Sequence, residues 1–318
     1  MLPKFFCTAM LCLLCSYAWA NTLPTCLFVS SYHSGYAWAD GVARGLHSKL
    51  DGKCTITRFS MDAKRNTSVA HAKQAALQAK ALIEKLKPDV VITADDAAAK
   101  YLIAPYYRNS AIPFVFCGIN WTISQYGFPY SNMTGMIEVA AVKPLFQKSH
   151  SITGMIHQAT YIGANTLTER KNLSHYKKVA RKLNITLISK LVSTRAEWIK
   201  AYRQSQTSQV IIIGSNAGIH DWDKSKVLTA IKPYTHTLTV TNHGWMMPYS
   251  MLGMTKVPEE QGEWAGELAL EILKGTKPSS IPIIPNREFN LVINKHLIAL
   301  TRISIPEFIR LKAQPYYK

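Results

Sequence analysis

The stretch Ser30-Ser31-Tyr32-His33-Ser34-Gly35-Tyr36-Ala37-Trp38-Ala39-Asp40 decides how this chain is read. An apolar run, Cys26 to Val29, leads into it, and the pattern predicts a helix from Gly41 to Leu50. Hydroxyls, an imidazole and aromatic rings therefore gather where a strand hands over to a helix. In a parallel α/β sheet that place is the carboxyl edge of the strand, where ligands bind.

The same succession continues downstream. Thr55 to Phe59 reads as a strand, and Ala72, Ala75, Ala79, Leu82, Ile83 and Leu86 share one face of a helix ending at Lys87-Pro88. Val90 to Thr93 is a buried strand followed by Asp95, Asp96 and a helix to Ala104; Pro113 to Cys117 is a strand running into Gly118-Ile119-Asn120. This β-α-β-α-β order implies a parallel sheet. A second series starts near Ile137. It comprises a weak strand at Thr153 to Ile156, a basic helix from Leu167 to Leu183, a strand at Thr186 to Ser189 and a helix from Thr194 to Gln204. The strands Val210 to Ile213 and Leu238 to Thr241 follow, running into Gly214-Ser215-Asn216 and Asn242-His243-Gly244-Trp245. The expected fold class is α/β, with two Rossmann-like lobes joined by a multi-segment hinge. A late helix, Glu259 to Leu273, precedes a rigid crossing at Pro278, Pro282 and Pro285, then a strand at Phe289 to Ile293 and a terminal helix from Pro306 to Ala313. The expected division is a signal at residues 1–20, a first lobe at 21–137 to which 250–280 returns, and a second lobe at 138–249. Part of 281–318 packs at the hinge.

Export is read from the start of the chain. Lys4 supplies a positive charge, Phe5 to Leu14 a short apolar run, and Ala18-Trp19-Ala20 a small-x-small cleavage site, so a periplasmic mature chain begins at Asn21. The formal net charge of +18 favours anionic partners in general. Export argues against nucleic acid, and the basic residues along Lys171, Lys177, Lys178, Arg181 and Lys182 read as a solvated helix face. Outside the signal only Cys26, Cys54 and Cys117 remain. Cys26 and Cys54 each stand just before a strand, and adjacent parallel strands would bring them within disulfide reach, so a bond between them is expected.

Several ordered pieces resemble the ABC transporter substrate-binding protein family. They are the opening phrase, Phe114-Val115-Phe116-Cys117-Gly118-Ile119-Asn120, Met133-Thr134-Gly135-Met136-Ile137-Glu138, Gln261-Gly262-Glu263-Trp264-Ala265, and a tail with Asn294-Lys295 and Ile305-Pro306. The Ser-Tyr-His, Gly-Tyr and Trp-x-Asp pieces further resemble the subgroup associated with bacterial sensor kinases and cyclic-dinucleotide enzymes. The resemblance implies a type I periplasmic-binding fold, with ligand in the cleft between two lobes. The chain departs from the family pattern after Ile156, where His157-Gln158-Ala159-Thr160-Tyr161-Ile162-Gly163 stands in place of a compact acidic or hydroxyl-rich loop.

The strand ends supply the candidate ligand-binding set: Ser31, Tyr32, His33, Trp38, Asp95 and Asn120 from the first lobe, Ser215, Asn216, His243 and Trp245 from the second. Stacking faces with a few directional polar groups are the composition of a small-molecule site. They suit a small flat or aromatic ligand, with a carboxylate such as Asp95 to receive an ammonium. The expected function is solute capture for ABC-type uptake, with a membrane permease as partner. The alternatives are a ligand sensor signalling to a membrane kinase or cyclase and, with less support, a cleft enzyme. No G-x-S-x-G elbow, metal-type spacing or Gly-rich phosphate loop is present, so no catalytic residue, metal or cofactor is assigned. The protein is expected to act as a monomer.

Overall fold

A computed structural model describes residues 23–317. The expected signal segment and its cleavage near Ala20 lie outside the described residues. Among the described residues, no helix is long and apolar enough to cross a membrane.

The first lobe opens with β1 (Thr25–Ser30), α1 (Ala37–Leu50), β2 (Thr55–Ser60), α2 (Val69–Leu86) and β3 (Val90–Ala94). A helical stretch follows, with α3 (Asp95–Ala98), a π-helical turn at Ala99–Ile103 and α4 (Ala104–Tyr106); β4 (Phe114–Asn120) and β5 (Met133–Glu138) complete the run. The second lobe contains α5 (Val142–Thr153), β6 (Gln158–Ala164), α6 (Leu167–Lys182), β7 (Thr186–Val192), α7 (Arg195–Gln204), β8 (Val210–Ile213), α8 (Lys224–Ile231), β9 (Leu238–Thr241) and β10 (Leu252–Lys256). The chain returns through α9 (Pro258–Leu273) and β11 (Ile284–Pro285), then crosses again to β12 (Phe289–Ile293) and β13 (Gln314–Pro315).

The six-stranded sheet has the order β11-β5-β4-β3-β1-β2, and the seven-stranded sheet β13-β12-β10-β9-β8-β6-β7. Within each lobe the five principal strands therefore run second, first, third, fourth, fifth. That order reverses direction between the first and third strands, and the crevice at the reversal is where doubly wound sheets hold ligands. The topology repeats in the two lobes although the sequence shows no comparable repeat.

Every residue of β3, β4, β8 and β9 is buried, as expected for parallel strands covered on both faces. In the first lobe α2 covers one sheet face, while α1 and α9 cover the other. Gly45 and Gly262 set the approach of α1 and α9: a Cβ at Gly262 would collide with the Val42 carbonyl oxygen, and one at Gly45 with that of Glu259. Cys26 and Cys54 are joined at the start of this sheet, with their Cα atoms 6.0 Å apart, and Cys117 is a buried free thiol.

Some expected boundaries differ. Residues 250–256 do not return to the first lobe; β10 pairs with β9 and β12 in the second sheet. The return falls at Val257, where Pro258 can occupy the first helical turn without losing a hydrogen bond. The tail is more than hinge packing, because β12 and β13 extend the second sheet. The expected strand at Thr153 to Ile156 is the end and exit of α5, and the expected terminal helix is a short one, Glu307–Arg310.

Candidate functional site

Tyr32, Tyr36, Trp38, Lys64, Asp95, Asn120, Glu138, Thr168, Glu169, Ser215, His243, Trp245 and Lys256 line a narrow cavity between the lobes. It lies where the two strand-order reversals face each other: the ends of β1 and β3 on one side, those of β6 and β8 on the other.

The first-lobe wall is built by a strained handover from β3 to α3. Asp95 takes a left-handed backbone with φ 72°, a conformation non-glycine residues hold only when their surroundings enforce it. Gly118 makes room for it, since a Cβ there would lie 2.8 Å from Asp95 Oδ1. Trp38 Nε1 donates to that Oδ1 at 2.9 Å. The other oxygen, Oδ2, is buried and has no partner. Burial raises the Asp95 carboxyl to about 7, against the pull of Lys64. At the neighbouring position, Asp96 accepts from Tyr126 Oη at 2.6 Å and from Asn120 Nδ2 at 2.9 Å.

Aromatic rings form the flat walls. Tyr36 and Trp245 meet edge to face across the cleft at 5.6 Å, Tyr32 and Tyr36 at 5.4 Å, and His243 tilts against Trp245 at 4.7 Å. Tyr36 stands at the start of α1 and makes no side-chain cap; Asp40 accepts the Gly35 amide instead, which leaves the phenol to the cleft. Tyr32 and Tyr36 share the cavity lining with Thr168 and Ser215 of the opposite lobe.

Glu169 anchors the second-lobe wall. Thr166 caps α6 through the Glu169 amide, which frees the Glu169 carboxylate to turn inward. It accepts from Tyr161 Oη at 2.6 Å, from the Ser215 amide at 2.9 Å and from Asn172 Nδ2 at 2.9 Å. The floor is the hinge. Glu138 ends β5 and Lys256 ends β10, and the two form a buried ion pair. Burial lowers the Lys256 ammonium to about 7. Asn286, on the third crossing, ties in by accepting the Val139 amide at 2.7 Å.

The lobes also meet outside the cavity. Lys171 on α6 donates to Asp96 Oδ1 at 2.6 Å and to Tyr126 Oη at 3.1 Å. Trp121 donates to Asn172 Oδ1 at 2.8 Å and stacks on His175 at 3.7 Å with an interplanar angle of 6°. This is a closed arrangement.

Of the residues expected to contact ligand, Tyr32, Trp38, Asp95, Asn120, Ser215, His243 and Trp245 line the cavity. Ser31 does not: its hydroxyl donates to the Ala94 carbonyl at 2.6 Å and accepts the Ala98 amide at 2.9 Å, clamping β1 to the β3–α3 turn. His33 and Asn216 line an outer vestibule that shares Tyr36, Lys64 and Trp245 with the inner cavity. The lining residues Tyr36, Lys64, Glu138, Thr168, Glu169 and Lys256 lie outside the candidate set. Lys64 follows the carboxyl end of β2 and obeys the same strand-end rule as the others. Lys256 depends on recognising β10, which the sequence pattern hides. Residues 157–163, expected as a loop, are largely β6 itself; the ligand-side loop of this lobe starts one step later, at Asn165. Among the described residues no cluster of three or more His, Cys, Asp or Glu is placed to hold a metal ion.

Two doubly wound lobes, chain crossings at the hinge and a lined cavity at the facing reversals define a type I periplasmic-binding fold. The chain belongs to the ABC transporter substrate binding protein family, whose model matches residues 27–316. No curated protein matches it in sequence. Solved structures share its fold at low identity. A Vibrio cholerae conserved domain protein has a TM-score of 0.74 at 17% identity, covering 92% of this chain and 99% of its own. A Streptococcus pneumonia ABC domain in complex with L-Trp has a TM-score of 0.71 at 15% identity, with 92% and 99% coverage. A ligand-free, open substrate binding protein with adhesive properties from Clostridium difficile has a TM-score of 0.70 at 12% identity, with 93% and 100% coverage.

Proposed function

We propose that this protein is a periplasmic solute-binding protein that closes on a small, flat or aromatic, amine-bearing ligand and presents it to an ABC-type membrane permease. One observation carries the ligand class. Asp95 Oδ2 is a buried, unpartnered acceptor in a cavity walled by Tyr32, Tyr36, Trp38 and Trp245. A ligand ammonium supplies the missing donor, and the rings supply stacking and cation–π surfaces. The relative solved with L-Trp bound is consistent with a flat aromatic ligand.

Binding would work by population shift. Ligand contacts come from both lobes, so they are complete only in the closed form, and closure follows to the extent of that difference. The test is a thermal-shift screen of the secreted protein against aromatic and aliphatic amino acids, biogenic amines, heterocycles and sugars, followed by calorimetry. A ligand of the native state raises the melting temperature in proportion to the logarithm of its concentration above Kd. The expected result is stabilisation by an aromatic amine or amino acid. Stabilisation by neutral sugars alone would refute the ligand class.

A further inference from the structure

Lys64 stands at the doorway between the inner cavity and the outer vestibule and lines both. Its Nζ lies 4.4 Å from the Tyr32 ring centroid and 5.7 Å from that of Tyr36. The other lysines of this region have carboxylate partners: Lys171 holds Asp96 and Lys256 holds Glu138. Among the described residues Lys64 makes neither an ion pair nor a hydrogen bond, and its ammonium lies over the Tyr32 and Tyr36 rings. Second-lobe residues Thr168, Glu169, Ser215, Asn216 and Trp245 share these linings, and with the lobes closed Lys64 is half-buried. Desolvation pulls the Lys64 ammonium below the ordinary lysine range, with Asp95, Glu169 and Asp96 acting in the opposite direction.

We infer that Lys64 makes closure conditional on an anionic group in the ligand: empty closure leaves a half-buried ammonium without a partner, and a ligand carboxylate or phosphate at the doorway neutralises it. The inference rests on the solute-binding reading above and adds a polarity to it, with ammonium inward at Asp95 and anion outward at Lys64. The vestibule continues that polarity. Arg65, His33 and His220 lie beyond Lys64, although Asp62 already engages Arg65 at 2.8 Å and lies 3.3 Å from His33. Among the described residues Lys64 is a doorway cation with no carboxylate ion pair. Burying a charge without a partner is unfavourable, and pairing it by charge-assisted hydrogen bonds removes most of that cost.

The experiment compares the secreted wild type with Lys64→Met and, as a control in the vestibule, Arg65→Met. Small-angle scattering of the ligand-free proteins reads closure. Calorimetry reads affinity for matched pairs differing only in the anion: tryptophan and tryptamine, tyrosine and tyramine, and phosphotyrosine against tyrosine to separate phosphate from carboxylate. Lys64→Met is expected to be more compact than wild type without ligand. For any pair that binds, it should erase an acid-over-amine preference of about tenfold or more, while Arg65→Met keeps it. Unchanged scattering of ligand-free Lys64→Met, or an intact preference for the acid, overturns the inference. If no pair binds the wild type, the amine-ligand reading fails, and the scattering comparison still decides the role of Lys64.

Discussion

Replacing Lys171 with Met separates the energetics of closure from those of folding. Lys171 does not line the cavity, yet it joins the lobes through Asp96. The two side chains are 14% and 6% exposed. Removing one member of a buried pair costs about 3–5 kcal/mol where the other charge is stranded. Asp96 is not fully stranded, because Tyr126 at 2.6 Å and Asn120 at 2.9 Å still donate to it from its own lobe. The lobes can also open and let water reach Asp96. The expected loss in the closed form is therefore about 2 kcal/mol, or about thirtyfold in affinity. In the open form Lys171 and Asp96 are apart and hydrated, so ligand-free thermal stability should hardly change. Calorimetric titration with a ligand found by the thermal-shift screen gives the first quantity, and melting of the ligand-free protein the second. Unchanged affinity would show that the pair does not latch the lobes. A fall in ligand-free melting temperature matching the loss of affinity would show that closure is built into the folded state rather than selected by ligand.

Asp95 gives a pH signature. Its carboxyl is raised to about 7 by burial, so its proton favours the folded, closed form; that stability is present below an ordinary carboxylate pKa near 4 and is lost as pH rises toward 7. An amine ligand needs the ionised form, so affinity should rise from about pH 6 to 8 with proton release visible in buffers of different ionisation enthalpy, and Asp95→Asn should abolish both. Trp245→Ala should weaken binding by about tenfold through loss of a wall facing Tyr36, with little change in melting temperature because Trp245 is only partly buried. Gly262→Ala should lower stability by about 1–3 kcal/mol through collision with α1, read as a lower denaturation midpoint with ligand affinity retained in the folded fraction. Cys26→Ser with Cys54→Ser should cost about 3–4 kcal/mol by freeing a loop of sequence separation 28 in the unfolded chain; free thiols at both positions in the secreted protein would remove the premise.

The sequence carried the strand ends and missed groups that depend on a partner element. Tyr32, Trp38 and Asp95 follow mostly apolar strands, and a polar residue after such a run is placed at a sheet edge by topology alone. Ser31 follows the same rule but turns inward, because the β3–α3 turn offers it a carbonyl and an amide. Glu169 lies three residues past a Thr and reads as ordinary helix-start chemistry; its inward turn depends on Tyr161 and Ser215, which only the folded sheet brings near. Glu138 and Lys256 are single charges at strand ends on separate crossings, and their pairing is a property of the hinge. The boundary at 250 was hidden for a related reason: β10, Leu252–Lys256, contains Gly253 and Thr255 and lacks the apolar continuity of β8.

Helix α6 ties these observations into one device. Its first turn supplies Thr168 and Glu169 to the cavity, and its next residues, Lys171, Asn172 and His175, grip the first lobe. Asn172 belongs to both sets, since it donates to Glu169 and accepts from Trp121. A ligand that settles α6 against the cavity therefore also settles the latch. Opposing this, closure leaves Asp95 Oδ2 buried without a partner, and Lys64 half-buried with no ion pair or hydrogen bond among the described residues. The latch alone favours the closed form, and the two unpaired groups alone disfavour it. The difference between these contributions sets the closed fraction without ligand, and apparent affinity equals intrinsic affinity multiplied by that fraction. Latch and doorway substitutions must then act in opposite directions on ligand-free closure. Lys171→Met lowers the closed fraction, Lys64→Met raises it, and the double variant should lie between them. If the two effects failed to oppose each other in scattering, α6 and the doorway would not be acting on one equilibrium.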